Sequence, residues 1–129
     1  QQLTDVSTLT GAIKAGLGAY LPGVFCNQPV LEKKLLSAAH IKGEPLWPMP
    51  LDPQQDSALN SNVADLVNCD DSFGGAVTAA LFLEKFTEGL PWAHFDIYAW
   101  TDSPRGALRE KGGSGQLVQS LLTYLGVST

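Results

Sequence analysis

Short runs of strand-type composition alternate along this chain with segments of helical periodicity, and no other feature restricts its fold more. Strands that alternate with helices pack as a largely parallel sheet covered on both faces. The sequence therefore predicts an α/β fold with a mostly parallel central sheet and helices on both faces. The predicted strands are Leu3–Leu9, Leu21–Cys26 and Trp92–Trp100; the predicted helices run from an Asn27 cap to Gly43, from Gly74 to Phe86 and from Ser114 to Leu125.

The connections between these elements are rich in turn-forming residues. The stretch from Glu44 to Pro53 contains repeated prolines and is expected to be ordered but irregular. A short helical turn and then an extended piece are expected between 56 and 68, and a polar loop between 101 and 113. Acidic residues at Asp70 and Asp71, followed by a Ser72 cap, are typical of a helix start.

Composition excludes several classes of function. The chain has 129 residues, a net charge of −5 and a pI of about 4.7, so it lacks the concentrated basic surface that nucleic-acid phosphates require. No apolar run approaches the roughly 20 residues of a membrane span. The two cysteines, Cys26 and Cys69, lack metal-type spacing and are expected to be reduced and partly buried. We therefore expect a cytoplasmic protein that binds neither nucleic acid nor membrane.

The titratable residues do not form a complete catalytic set in the sequence. His40 lies among lysines and is expected on the outer side of a helix. His94 precedes Asp96 by two residues on one face of a strand, where the pair either polarises a ligand or satisfies neighbouring backbone groups. No zinc-protease motif and no serine nucleophile elbow is present. The sequence alone thus predicts an α/β scaffold without a complete catalytic set.

A glycine-rich segment near the end of the chain has two possible structural interpretations. Residues 111–115 (K-G-G-S-G) put backbone amides at the start of the last predicted helix, where an anion could bind. The segment does not end in the Gly-Lys-Ser/Thr of a phosphate-binding loop, so a flexible loop with a helix cap explains it equally well.

Six segments in order resemble the leucyl aminopeptidase (cytosol aminopeptidase, M17) family. Residues 5–12 (D-V-S-T-L-T-G-A) are similar to the family's D-V-A-T-L-T-G-A. The other five are residues 46–51 (L-W-P-M-P-L), 63–68 (V-A-D-L-V-N), 75–83 (G-A-V-T-A-A-L-F-L), 91–97 (P-W-A-H-F-D-I) and 111–115 (K-G-G-S-G). The resemblance implies that residues 1–129 are the carboxyl-terminal portion of a three-layer catalytic domain.

The resemblance also implies a function for the parent protein. Family members remove amino-terminal residues from peptides with two bridged divalent cations (zinc, manganese or magnesium), which activate a hydroxide nucleophile, and they assemble as hexamers. The family's metal ligands and catalytic residues lie in upstream motifs that this chain does not contain, so the chain alone is expected to be inactive and to bind no metal. It retains Thr8, Leu9 and Gly11, which by resemblance contact the substrate.

This chain departs from the family's pattern in the segment that follows Ile97. After Ile97 this chain reads Y-A-W-T where many relatives read A-G-T-A-W-T, which argues against a simple preference for leucine. If the upstream part is missing, an exposed apolar patch or unpaired sheet edge is expected near the first strand, with self-association or marginal stability.

Two alternatives to an aminopeptidase fragment remain open. The chain could be a free-standing, non-catalytic interaction module on the same scaffold, or an anion- or nucleotide-binding domain that uses Lys111 to Gly115.

Overall fold

The computed structural model describes residues 1–69 and 73–127, which form an α/β fold around a four-stranded sheet. The strands are β1 (Leu3–Ser7), β2 (Gly23–Cys26), β3 (Trp47–Met49), β4 (Trp92–Asp96), β5 (Trp100–Thr101) and β6 (Gly112–Gly113). The helices are α1 (Gly11–Leu17), α2 (Pro29–Lys42), the 3₁₀ helix Pro53–Leu59, α3 (Gly75–Glu84) and α4 (Val118–Tyr124).

The main sheet has the order β1-β4-β2-β3, and parallel pairs dominate it. β1 runs parallel to β4, and β2 runs parallel to β3, whereas β2 and β4 are antiparallel. All five residues of β4 are buried, because this strand lies inside the sheet and both of its faces are covered. The prediction of a mostly parallel sheet is confirmed.

Helices cover both faces of the sheet. On one face, α1, α3 and the 3₁₀ helix contribute to a core that includes Phe25 and Trp92. On the other, α2 and α4 pack over Val24, Ala93 and Phe95. Alternate residues of β4 therefore enter opposite cores, as strand periodicity predicts, and the predicted three-layer arrangement is confirmed.

The first strand is shorter than predicted because a helix that was not predicted follows it. β1 ends at Ser7 rather than Leu9, and α1 begins at Gly11. The Oγ1 atom of Thr10 accepts a hydrogen bond from the amide of Ile13 at 3.1 Å, so Thr10 caps α1.

The strand predicted from Trp92 to Trp100 is also too long. β4 ends at Asp96, and Ala99 has a φ of 50°, which an extended strand does not allow. The chain then starts a second, two-stranded sheet in which β5 pairs with β6. The region predicted as a polar loop therefore contains a strand pairing, and the irregular connection after Glu44 contains β3.

Helix boundaries differ from the predictions in two places. The Asn27 side chain does not cap α2: it accepts from the amide of Trp92 at 2.8 Å and donates to the carbonyl of Leu90 at 3.0 Å. α4 begins at Val118 rather than Ser114. The predicted Ser72 cap and the Asp70–Asp71 pair lie outside the described residues.

Candidate functional site

The turn between β1 and α1 contains the three residues that resemblance selects. Thr8 and Leu9 follow β1 directly, and Gly11 is the first residue of α1. All three are exposed, and Leu9 keeps 44% of its surface in solvent. The structure thus brings the predicted residues together at one end of the β1–β4 pair.

A buried carboxylate holds this turn in place. Asp96, the last residue of β4, is fully buried. Its Oδ1 accepts from the amides of Leu9 at 3.2 Å and Thr10 at 3.4 Å, and its Oδ2 accepts from the Thr10 hydroxyl at 2.6 Å. A buried carboxylate needs such partners, since its desolvation is otherwise unfavourable. The backbone at residues 9 and 10 is therefore fixed by a side chain from another strand.

His94 and Asp96 do not form a pair. The Nδ1 atom of His94 lies 2.5 Å from Oδ1 of Asp5, on β1, and the indole Nε1 of Trp92 donates to Oδ2 of Asp5 at 2.7 Å. Because an ionised carboxylate only accepts hydrogen bonds, Nδ1 of His94 carries the proton. The fully buried His94 ring stacks on Phe25 and Trp92, and its Nε2 has no hydrogen-bond partner in the described chain. Two roles were predicted for His94 and Asp96, polarising a ligand or satisfying neighbouring groups. The second role fits both residues.

A cavity of about 430 Å³ adjoins the turn. Leu9 and Gly11 line it, and Thr8 does not. The opposite wall comes from α3 and from the segment that precedes it; the described residues there include Thr78, Phe82 and Cys69. A Cβ atom added to Gly11 would meet no atom within 4 Å, so the space beside this glycine is open.

The segment in which this chain departs from its relatives lies next to the turn. The amide of Ile97 donates to the carbonyl of Ser7 at 2.9 Å, so this segment begins beside the end of β1. The ammonium nitrogen of Lys14, on α1, lies 3.6 Å from the centre of the Tyr98 ring, within the range of a cation–π contact. This contact joins α1, the helix that follows the turn, to the segment that follows β4.

The glycine-rich segment is not at a helix start. Gly112 and Gly113 form β6, the amide of Ser114 donates to the carbonyl of Ala99 at 2.9 Å, and α4 begins only at Val118. The prediction that residues 111–115 present amides at a helix start is therefore wrong.

The cysteines and the metal-ligating side chains are dispersed. Cys26 is half-buried and Cys69 is exposed, and both are free thiols, so the expectation of burial is wrong for Cys69. Burial raises the pKa of the Cys26 thiol. Within residues 1–69 and 73–127, no group of three or more His, Cys, Asp or Glu side chains could hold a metal ion. These residues do not fit the pair of cations that the resemblance implies.

Sequence reasoning missed two residues that build the site. Thr10 caps α1 and bonds Asp96, and Lys14 contacts Tyr98. The signal for α1 was present, because a threonine precedes Ile13 and Leu17 at a helical spacing of four. No local sequence pattern indicates the contact of Asp96 with the turn, because the two are far apart in the sequence.

Comparison with known proteins identifies the family. The sequence model described as "Cytosol aminopeptidase family, catalytic domain" matches residues 1–122. A probable cytosol aminopeptidase of Burkholderia cenocepacia (strain HI2424) is 46% identical over 121 residues, which is 94% of this chain and 24% of the relative. One from Rhodopseudomonas palustris (strain TIE-1) is 40% identical over 120 residues, or 92% of this chain and 24% of the relative.

Solved structures agree with the sequence comparison. The cytosol aminopeptidase of Coxiella burnetii is 41% identical, with a TM-score of 0.87 over 97% of this chain and 28% of that protein. The bottromycin maturation enzyme BotP in complex with Mn is 38% identical, with a TM-score of 0.89 over 95% of this chain and 28% of that protein. The chain thus spans about a quarter of the length of the curated relatives it matches. Among the described residues, no helix is long and apolar enough to cross a membrane.

Proposed function

The chain belongs to the cytosol aminopeptidase family, and on this premise we propose that residues 1–129 form the carboxyl-terminal portion of a metal-dependent exopeptidase. The parent enzyme hydrolyses amino-terminal residues from peptides with two divalent cations (zinc, manganese or magnesium), and the Mn in the BotP complex supports this metal dependence. The upstream portion of the parent supplies the metal ligands and catalytic residues, and this chain alone is inactive. A cytoplasmic location and a hexameric assembly belong to the same proposal.

The role of this chain is to orient the peptide. Thr8, Leu9 and Gly11 lie on a turn that Asp96 holds by hydrogen bonds from two backbone amides and one hydroxyl group. Main-chain groups of a rigid turn bind a peptide independently of its side chains, and groups that are already oriented lower the entropic cost of reaction. The rigid, exposed turn beside an open cavity is the observation that carries this proposal.

Gly11 offers a direct test. In the full-length parent, Gly11→Val adds a side chain to open space at the cavity, so the fold should tolerate it while peptide binding weakens. We expect KM for a leucyl amide to rise about tenfold or more, which corresponds to about 1.4 kcal/mol of lost binding. Gly16→Ala is the matched control, because a Cβ atom at Gly16 also meets nothing within 4 Å and Gly16 does not line the cavity.

Two outcomes would contradict the proposal. A Gly11→Val parent with unchanged KM would exclude this turn from the substrate site. A parent that cleaves leucyl amides equally well after chelation of its metals would exclude metal dependence. The alternative, a free-standing, non-catalytic interaction module, predicts that the gene has no coding sequence upstream of Gln1 and that no leucyl amidase activity accompanies the chain.

A further inference from the structure

The position of β1 along β4 is not determined by burial of the β1 side chains. β1 is one edge of the described sheet, which confirms the unpaired edge expected near the first strand. Its apolar residues Leu3 and Val6 are 41% and 43% exposed. The register of a strand is strongly specified where one of its faces is buried, and main-chain bonds repeat along any parallel ladder. Polar contacts between β1 and β4 therefore select the register.

Asp5, at the centre of β1, makes these polar contacts. It lies opposite His94 in the ladder. Its Oδ1 is 2.5 Å from Nδ1 of His94, and its Oδ2 accepts from the indole Nε1 of Trp92 at 2.7 Å. Both donors belong to β4 and are buried, so two groups of fixed position hold this carboxylate. A shift of β1 by one residue would move Asp5 by about 3.3 Å and break both bonds.

Only one neutral tautomer of His94 can hold Asp5. Because an ionised carboxylate only accepts hydrogen bonds, Nδ1 of the ring carries the proton, which leaves Nε2 bare. Nε2 is buried and has no partner in the described chain, so a proton placed there would be an unsatisfied donor. The ring also stacks on Phe25 and Trp92, which holds its orientation. The surroundings of His94 thus favour the tautomer that Asp5 requires.

The energetics of this network favour a role in register over a role in stability. Buried polar pairs can often be replaced by apolar residues of similar volume without a loss of stability. The Asp5 side chain is 37% exposed, so water can replace a lost partner there. A network with a small net energy, in which each donor has one acceptor, is suited to selecting one arrangement of two strands.

The peptide-orienting turn begins where β1 ends. Ser7 is the last residue of β1, and Leu9 and Gly11 follow it and line the cavity. Asp96 holds the amide of Leu9, so the turn has one side-chain contact with β4 and the strand before it has another at Asp5. A displacement of about 1 Å in groups that orient a substrate can lower a reaction rate about a hundredfold. A loosened β1 would therefore misplace the main chain of the turn.

We propose that Asp5 and His94 are positioning residues of the peptide-orienting turn. The Nδ1–H tautomer of His94 holds Asp5, Asp5 holds β1 in register, and β1 places the main chain of Leu9 and Gly11 at the cavity. Neither positioning residue touches the peptide. This inference rests on the proposed function in one respect, namely that the peptide binds at this turn.

The tautomer of His94 is the first test, and it uses the isotope-labelled 129-residue chain. NMR shifts of the ring nitrogens should show a protonated Nδ1 and a bare Nε2. In Asp5→Asn, the indole of Trp92 can only donate, so it takes the new carboxamide oxygen and leaves an NH₂ group facing His94. Nδ1 must then accept, and the proton should move to Nε2. Asp65→Asn, at an exposed aspartate outside the cavity, should leave the tautomer unchanged.

Amide exchange and kinetics show whether the turn depends on this bond. In Asp5→Asn, hydrogen exchange at the Leu9 amide should become about fivefold faster relative to amides of α2, which report overall stability. In the full-length parent, the same substitution should raise KM for a leucyl amide about fivefold, the effect of one misplaced hydrogen bond to the peptide. A purely structural role would instead lower the amount of active enzyme, and with it the apparent kcat, at unchanged KM. Asp65→Asn should change neither the exchange rate nor KM.

Two substitutions of His94 separate positioning from stability. Asparagine keeps a nitrogen donor at the place of Nδ1, whereas leucine has nearly the same shape as asparagine and no donor. His94→Asn leaves its oxygen unpaired in the core, so it should melt at a lower temperature than His94→Leu. KM and the exchange rate at Leu9 should follow the opposite order, with natural values for His94→Asn and values raised about fivefold for His94→Leu.

Each result supports or overturns the assignment. Opposite orders of melting temperature and KM for the two His94 variants support it. It is overturned if His94 carries its proton on Nε2 in the natural chain, if Asp5→Asn matches Asp65→Asn in Leu9 exchange or in KM, or if KM follows melting temperature. A parent that cleaves no leucyl amide would contradict only the proposed activity, because the tautomer and the exchange rates test the assignment in the chain alone.

Discussion

Replacing Asp96 tests how strongly the β1–α1 turn depends on one carboxylate. Asp96→Ala removes a fully buried side chain and leaves the partly buried amides of Leu9 and Thr10 and the Thr10 hydroxyl without their acceptor. Each unsatisfied buried group costs about 1–3 kcal/mol, and such costs are not additive, so we expect a loss of about 3–5 kcal/mol. Asp96→Asn keeps one amide oxygen for the backbone but lacks the charge and the second acceptor, and should cost about 1.5–3 kcal/mol.

Urea unfolding of the 129-residue chain measures these losses, and amide exchange at Leu9 and Thr10 locates them. Thr10→Ala combined with Asp96→Asn gives a double-mutant cycle. We expect a coupling energy of about 1 kcal/mol or more, because each single variant already disrupts the 2.6 Å hydrogen bond between the Thr10 hydroxyl and Asp96 and the double variant cannot lose it twice. Asp65→Asn, at an exposed aspartate, should stay within about 0.5 kcal/mol of the natural chain. A loss below about 0.5 kcal/mol for Asp96→Ala would refute the assigned role.

Three further predictions concern packing, capping and thiol chemistry. Glu44→Gln should cost about 1–2 kcal/mol in urea unfolding, because the Glu44 carboxylate accepts from the amide and the hydroxyl of Ser120 near the start of α4; an unchanged midpoint would contradict this. Gly23→Ala should cost about 1–3 kcal/mol, since the new Cβ would lie 2.6 Å from a buried isoleucine, whereas Gly16→Ala should be neutral or stabilising; equal thermal shifts would refute the difference. A raised pKa lowers the thiolate fraction at any given pH, so Cys26 should react with iodoacetamide more slowly than the exposed second cysteine. The reaction rate of Cys26 should continue to increase with pH beyond about pH 8.5, the usual thiol pKa. Equal rates for the two cysteines would contradict this prediction.

Sequence periodicity predicted the layers of the fold because burial on both faces leaves a strong pattern. In β4, Trp92 enters one core while Ala93 and Phe95 enter the other, as alternation requires. Periodicity failed where short elements depend on contacts elsewhere. α1 has seven residues, and glycines lower its intrinsic helix propensity, so its start depends on the Thr10 cap. β3 contains Pro48, and β6 consists of two glycines, neither of which has strand character by composition.

The candidate site was only partly accessible from sequence for a related reason. Thr8, Leu9 and Gly11 were selected through a local motif, and the structure keeps them together on one turn. The residue that fixes this turn, Asp96, is 87 positions from Leu9 along the chain. Local patterns carry no record of such a contact, which explains why Asp96 was considered as a partner for His94 instead.

Two carboxylates of the β1–β4 pair, Asp5 in the middle of β1 and Asp96 at the end of β4, show how the site is built. Asp5 bonds Trp92 and His94, and Asp96 bonds the turn, so both charges at this pair are satisfied within the chain. The hydrogen bonds that hold the turn therefore come from residues within this chain. A preformed turn contributes to binding without a further ordering cost, which is what a substrate-orienting element requires.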